Sequence, residues 1–410
     1  MSTDAKTFSR AHDLEAIALV SSAHAASHFY HLVIPSLFPW LMPHFGLSYT
    51  QAGALMTAFF VTSAFGQAAS GFLVDKIGPK RGLYLGLLLL ASSAFVVGAS
   101  THYGMLFVGA ILAGLGNCVF HPVDYSLMNM NISESRLGHA FAWHQITGNV
   151  GWALCPPFMV GLASLWGWRV AAMAAACVAL AVLATVLWRR RTFAFDRFQK
   201  KGGAQGEGKQ SAIAFLKVPA VWLCFFFFFF TSGAFGVLQS YGPGIFDKAY
   251  GLNLAEASGA LTAFLISAGV GGLAGGFCAQ YLKVGSDRIV AVAFGMAALM
   301  SIVLATQWLD GFWVPVLMAL MGFGVGIAGP NRDLMIRKAT VSKLGVGQIA
   351  RIYGFVYCGM DCGQSLAPLV FGPLLDAGHF TMALIGVAVL QTLGIFTAVN
   401  VGNRERPKEK

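Results

Sequence analysis

Polar and apolar positions fall in long alternating blocks along this chain. Twelve runs rich in apolar residues, at 14–43, 49–74, 82–100, 104–128, 138–163, 168–188, 219–246, 254–282, 289–307, 312–336, 348–374 and 380–401, are separated by short polar breaks. Each approaches or exceeds the roughly 20 apolar residues that a helix needs to cross a bilayer. None shows the every-second-residue alternation of an outer-membrane strand. Backbone groups in lipid must be satisfied within their own segment, so the pattern predicts helices. Only one long polar run lies between the two ends, Arg189–Lys209 (RRRTFAFDRFQKKGGAQGEGK), and it falls near the midpoint. The expected architecture is all-α. A six-helix bundle covers 1–188, a basic, glycine-rich cytoplasmic linker 189–211, and a second six-helix bundle 212–410.

The two halves repeat one another. Thr57-Ala58-Phe59 returns as Thr262-Ala263-Phe264, and Gly71-Phe72 as Gly276-Phe277. Gly114, Gly116 and Pro122 match Gly322, Gly324 and Pro330, while Gly148, Pro157 and Gly161 match Gly359, Pro368 and Gly372. Three spans that match their counterparts in order imply two pseudo-symmetric halves, an arrangement in which solute sites lie between halves near the midplane.

Composition agrees with lipid as the main solvent. Charged residues are 11% and apolar ones 57%, whereas a soluble domain carries about 25% charged residues. The net charge of +10 sits in short loops, which excludes a nucleic-acid role. Lys76, Lys80, Arg81, Arg136, Lys283, Arg288, Arg337, Lys338 and Lys343 fall in one set of loops, with Lys6, Arg10, Arg404, Arg406, Lys408 and Lys410 at the ends. The opposite loops hold Arg169 and Lys248. That asymmetry predicts a multi-pass inner-membrane protein with both termini cytoplasmic. The seven cysteines lie within apolar runs and read as packing residues, including Cys358 and Cys362 one turn apart. No signal peptide is read at the N-terminus.

One loop points to a family. After the second span the chain reads GFLVDKIGPKR, Gly71 to Arg81. Gly71 lets helices approach, Asp75 can cap a neighbouring helix N-terminus, Gly78 turns the loop, and Lys80 and Arg81 hold it in the cytoplasm. This run resembles the signature loop of the major facilitator superfamily, G-x-x-x-D-[RK]-x-G-[RK]-[RK], with Pro79 in place of a basic residue. The resemblance implies a transporter in which Gly71, Asp75, Gly78, Lys80 and Arg81 form a conformational latch. GNCVFHPVDYS (Gly116–Ser126) is similar to a segment of the fosmidomycin-resistance-like branch of bacterial exporters. GNVGWALCPPFMVG (Gly148–Gly161) half-matches the glycine-proline motif of proton-coupled antiporters, from which Cys155 and Pro157 depart.

Ionisable residues inside spans are costly and mark candidate sites. His24, His28 and His31, with Ser21, share one helical face and are expected to line a cavity, handling solute or protons. They lack a second ligand set in the sequence, so no metal site is expected. Asn117, His121 and Asp124 follow on the fourth span, and His144, Gln145 and Asn149 on the fifth. His121, His144 and Asp124 are candidates for proton coupling and Asn149 for solute contact. In the second half Gln239 and Tyr241, beside Gly242-Pro243, suggest an outer gate and solute contacts, and Phe225–Phe230 reads as lipid-facing bulk. Asn331, Arg332, Asp333, Gln348, Arg351, Tyr357, Asp361 and Gln364 complete the set. Arg351 is expected to pair with Asp333. Asp361, deep in its span, is the strongest candidate for a coupling carboxylate. Arg332 and Tyr357 are candidate solute contacts. Arg332 is the repeat counterpart of Asp124, and presents a fixed fork of donors suited to an anion or to an inner-gate ion pair.

These readings converge on a proton-coupled secondary transporter of a small organic anion, working by alternating access as a monomer in the bilayer, with no cofactor. An antiporter exporting a polar antibiotic or metabolite, or a metal-ion transporter using the first-span histidines, are the alternatives. No nucleotide-binding loop is read. An enzyme is not expected: Ala25 stands where a zinc protease needs its glutamate, and no G-x-S-x-G run occurs. A transport-dead sensor is expected to carry a large soluble domain, and none is read.

Overall fold

The computed structural model describes residues 8–193, 214–282, 284–344 and 349–405, and within them the side chains of all but 68, 71–73, 75, 214–215, 333, 336–344, 349–354 and 404–405. The described residues contain no strand. They form fourteen α-helices: α1 (Arg10–Ser36), α2 (Phe38–Phe45), α3 (Tyr49–Ile77), α4 (Pro79–Gly98), α5 (Tyr103–Asn117), α6 (Phe120–Asn131), α7 (Leu137–Trp166), α8 (Trp168–Trp188), α9 (Pro219–Tyr250), α10 (Leu254–Tyr281), α11 (Ser286–Thr306), α12 (Val314–Leu344), α13 (Ile349–Asp376) and α14 (Phe380–Glu405).

Fourteen helices arise from twelve expected spans because prolines break two of them. Pro39 cannot donate to the carbonyl of Pro35, so the first span ends as α1 with Leu37 bonded back to Ile34 and restarts as α2. Pro122 does the same to Cys118, and the fourth span becomes α5 and α6 with a joint at Cys118-Val119. Among the described residues, ten helical stretches are long and apolar enough to cross a membrane. The two other expected spans, α3 and α13, have the length at 29 and 28 residues. α13 carries Asp361 and Gln364 within its length, and α3 includes positions outside the described side chains.

The chain divides into two compact units, Met1–Gly46 with Ala58–Gly206, and Leu47–Thr57 with Glu207–Lys410. In the first, α1 is central, with Ala16, Val20, Ala23 and Leu32 fully buried. It packs along α7, where Gly151 brings the two backbones together at Ala25. At the start of the expected linker, Arg189 and Thr192 bond to Glu15 of α1. The expected linker residues 194–211 lie outside the described residues.

The second unit is built on an aromatic core in which Phe227, Phe228 and Phe294 pack with Val290, Ala293 and Met335. The expectation that Phe225–Phe230 all face lipid is corrected here. A helix turns every 3.6 residues, so six consecutive phenylalanines circle α9: Phe227 and Phe228 are buried, and Phe226 is the exposed one. Leu47–Thr57, from the first half of the sequence, packs within this unit. Asp376 accepts from the backbone N–H groups of Tyr49 and Thr50 (2.6 and 3.0 Å) and from the Thr50 hydroxyl. The Tyr241 hydroxyl donates to the carbonyls of Tyr49 and Pro368, both at 3.0 Å, and Thr57 donates to the Ser365 carbonyl at 2.7 Å. Partial burial pushes the Asp376 carboxyl up, but the hydrogen bonds from Thr50 and Tyr49 outweigh it and hold the group below the ordinary carboxylate range.

Candidate functional site

The expected histidine stripe exists, and its partners come from two other helices. His24, His28 and His31 follow one another along the buried face of α1. His121 and Asp124 project from α6, three residues apart, and His144, Gly148 and Trp152 from successive turns of α7. Gly148 makes the meeting possible. A Cβ there would lie 2.9 Å from the His28 ring and 3.0 Å from His24 Nε2.

At the centre is Asp124, with no exposed surface. Its Oδ2 lies 3.1 Å from His144 Nε2 and 3.2 Å from His24 Nδ1. The His24 nitrogen is at ion-pair distance but not aligned for a hydrogen bond, and Asp124 Oδ1 has no hydrogen-bond partner among the described residues. The His24 and His144 rings stack with centroids 3.5 Å apart. His28 extends the box, 4.3 Å from His24 and 4.3 Å from Trp152. His121 closes another side, 5.4 Å from His24. Among the described residues the charge partners of Asp124 are these two imidazoles; neither lysine nor arginine reaches it. A lone ionised carboxylate in such surroundings costs several kcal/mol, so Asp124 must share a positive charge or a proton with its surroundings.

A second layer fixes His31. Its Nε2 lies 2.9 Å from Asn117 Oδ1, and the Ser27 hydroxyl donates to the same oxygen at 2.6 Å. Asn117 in turn donates to Ser63 Oγ at 2.9 Å. An amide oxygen only accepts, so His31 carries its proton on Nε2 and leaves Nδ1 a bare lone pair without a partner among the described residues. Asn117, named on the fourth span in sequence, is joined by Ser27, Ser63 and Trp152, which complete the site without having been singled out. Helical spacing could have found Trp152, eight residues after His144 on the same face of α7.

The remaining sequence-predicted residues separate. Asn149 is half-buried and makes no hydrogen bond to a described residue. In the second unit, Asp361 is 4% exposed and has neither a hydrogen bond nor an ion pair with a described residue. Nearby Gln364 accepts from Gln239 Nε2 at 3.0 Å, leaving Gln239 Oε1 unpartnered. The Arg332 guanidinium stands 4.4 Å from the Phe228 ring centroid, and the Tyr357 ring 4.8 Å from the same ring. Tyr241 is buried and held by two carbonyls. In the loop motif, Gly78 has φ +87°, a conformation open to glycine. Lys80 Nζ donates to the Phe193 carbonyl at 3.2 Å and Arg81 is exposed. The side chains of Gly71, Asp75, Asp333 and Arg351, and all of Gln348, lie outside the described residues.

Comparison with known proteins places this geometry. The chain is 25% identical over 397 residues to the membrane sensor protein UhpC of Escherichia coli, covering 90% of this chain and 88% of the sensor. It is 23% identical over 402 residues to the fosmidomycin resistance protein of Escherichia coli, covering 95% and 93%. The fold matches a solved bacterial homologue of the human lysosomal transporter Spinster, in an inward-facing and occupied conformation. That match has a TM-score of 0.75 and 13% identity, and covers 98% of this chain and 100% of the other. The expectation that a sensor needs a large soluble domain fails against the first of these, since nearly the whole of that sensor aligns with this chain. These are membrane transporters and their sensor relatives, not enzymes. The family model of the Major Facilitator Superfamily matches residues 19–343, and the chain belongs to that superfamily.

Proposed function

We propose that this multi-pass membrane protein is a proton-coupled secondary transporter of a small organic anion. One observation carries the coupling: Asp361, buried on α13 with no partner among the described residues. Ionised there it would cost several kcal/mol, so a proton is the cheapest companion available. Cys358 and Cys362, on the same helix, offer it no compensating charge. The anion is assigned to Arg332, which lies against Phe228 and keeps its charge at any relevant pH. Within the first unit, His28 and His31, whose Nδ1 atoms have no partner among the described residues, are candidate solute contacts in their own right.

The test is transport by the purified chain in proteoliposomes, with labelled carboxylates, phosphonates and sulfonates as candidates. An inward pH gradient should drive accumulation, and exchange at equal pH should persist in Asp361→Asn while gradient-driven accumulation disappears. Wild-type flux that ignores collapse of the gradient would sink the coupling assignment. A second reading, a solute sensor, is favoured by the likeness to a sensor of similar extent. It predicts tight solute binding with no exchange at all.

A further inference from the structure

We infer that the imidazole-carboxylate box of the first unit is a binding site for a divalent transition-metal ion of the zinc, cobalt and nickel class, with His24 Nδ1, His144 Nε2 and Asp124 Oδ2 as ligands. This goes beyond the coupling assigned to Asp361 and does not depend on it.

The three atoms lie within 4.8 Å of one another, all on buried residues. A tetrahedral metal with ligands at about 2.0–2.1 Å has ligand-to-ligand edges of about 3.3 Å. Two edges of the box already have that length, 3.2 Å from His24 to Asp124 and 3.1 Å from His144 to Asp124. The His24 and His144 rings, stacked 3.5 Å apart, must turn about their side-chain bonds for both lone pairs to face the ion.

Independent features point to a ligand. Asp124 Oδ1 is buried and unpartnered. It is placed to make the carboxylate bidentate or to hold a metal-bound water. Among the described residues the box has no lysine or arginine partner, so its carboxylate is short of the positive charge that a divalent ion brings. The surrounding layer resists collapse onto the centre. The Asn117 network holds His31, and close contact with Gly148 fixes the His24 and His28 rings. His121 is the next imidazole in reach as a further ligand.

The donor set decides the class. Two imidazoles and one carboxylate suit zinc, cobalt and nickel, while magnesium and calcium require mainly oxygen. On sequence alone the first-span histidines had no second ligand set; α6 and α7 supply it.

The chain, purified in detergent with a histidine-free tag and stripped of metal, is titrated with Co²⁺. One equivalent per chain should give the intense visible absorption of tetrahedral cobalt, and Zn²⁺ should displace it stoichiometrically. Asp124→Asn, His24→Gln and His144→Gln should each weaken binding by at least about ten-fold. His139→Gln, at an exposed position on α7, should leave it unchanged. X-ray absorption of the zinc-loaded wild type reads the shell directly and does not depend on any variant folding; two imidazoles with oxygen are expected. Sub-stoichiometric binding, affinity indifferent to Asp124 and His144, or a sulfur-containing shell would overturn the assignment. Asp361→Asn should bind Co²⁺ as wild type does, so failure of the coupling proposal and failure of the metal site are told apart in one preparation.

Discussion

Asp124 and Asp361 are buried almost equally, at 0% and 4% exposure, yet their surroundings are opposite. Asp124 has two imidazole nitrogens within 3.2 Å of one oxygen, whereas Asp361 has no polar partner among the described residues. The helix pairs behind them are built alike. Gly148 and Gly151 bring α7 against α1, and Gly359 and Gly363 bring α13 against α9. What meets the glycines differs: the imidazoles of His24 and His28 at Gly148 in the first unit, chiefly the backbone of Phe225 and Phe229 at Gly359 and Gly363 in the second. One backbone repeat thus supports two chemistries. The first carboxylate faces imidazole nitrogens; the second faces no hydrogen-bond or ion-pair partner among the described residues.

The sharpest way to break this contrast is to neutralise each aspartate in turn. Asp361→Asn should remove gradient-driven transport entirely, measured as accumulation in proteoliposomes, while keeping cobalt binding. If Asp124→Asn produced the same pair of results, the two sites would not be distinct.

Next in size is Arg332→Lys. A lysine keeps the charge but loses the planar fork and its stacking on Phe228. Roughly 1.5–3 kcal/mol of a charged hydrogen bond is at stake, so solute affinity measured by exchange should fall about ten-fold or more. Unchanged affinity would return Arg332 to a gating role.

Gly148→Ala tests the packing behind the first box. Its methyl would meet the His28 and His24 rings at 2.9 and 3.0 Å, and overpacking of this kind costs about 1–3 kcal/mol. Lower thermal stability should accompany weaker cobalt binding. A variant with wild-type melting would mean that the rings move aside freely.

The smallest effect is expected at a third carboxylate, Asp376, which neither stands alone nor faces imidazoles but caps the start of α3. Because its folded pKa is lowered, its contribution is complete above the ordinary carboxylate range and lost as pH falls through the folded value. Asp376→Asn should therefore lower the melting temperature modestly at neutral pH, and the gap from wild type should close in acid. A gap that widened in acid would reverse the sign of the assignment.

Much of this was legible in the chain. Block lengths, the basic loops and the glycine-proline repeat specify helices and halves, since each follows from local pattern. The histidine stripe on α1 was readable from spacing alone. Its partners were not, because which faces of α6 and α7 meet α1 depends on helix rotation, set by close approaches such as Gly151 at Ala25. The phenylalanine run misled because composition was read without turning the helix. The breaks at Leu37 and Cys118 were not readable from Pro39 and Pro122 alone, because Pro243, Pro330 and Pro368 lie inside helices that continue.

The break between α5 and α6 has a mechanical consequence. Asn117 ends the upper helix and anchors His31, while Asp124 rides on the lower one. α6 is a separate segment of 12 residues, about 18 Å long, that begins beyond the joint at Cys118-Val119, next to the box. Its far end accepts a hydrogen bond from His12, at the start of α1, through the Asn131 carbonyl. Beyond it, Ser133 donates its N–H to Asp13 and accepts from the Phe8 N–H. The helix that carries Asp124 is thus pinned to α1 at its far end, and a spin label near residue 131 would report whether cobalt added to the box shifts that end.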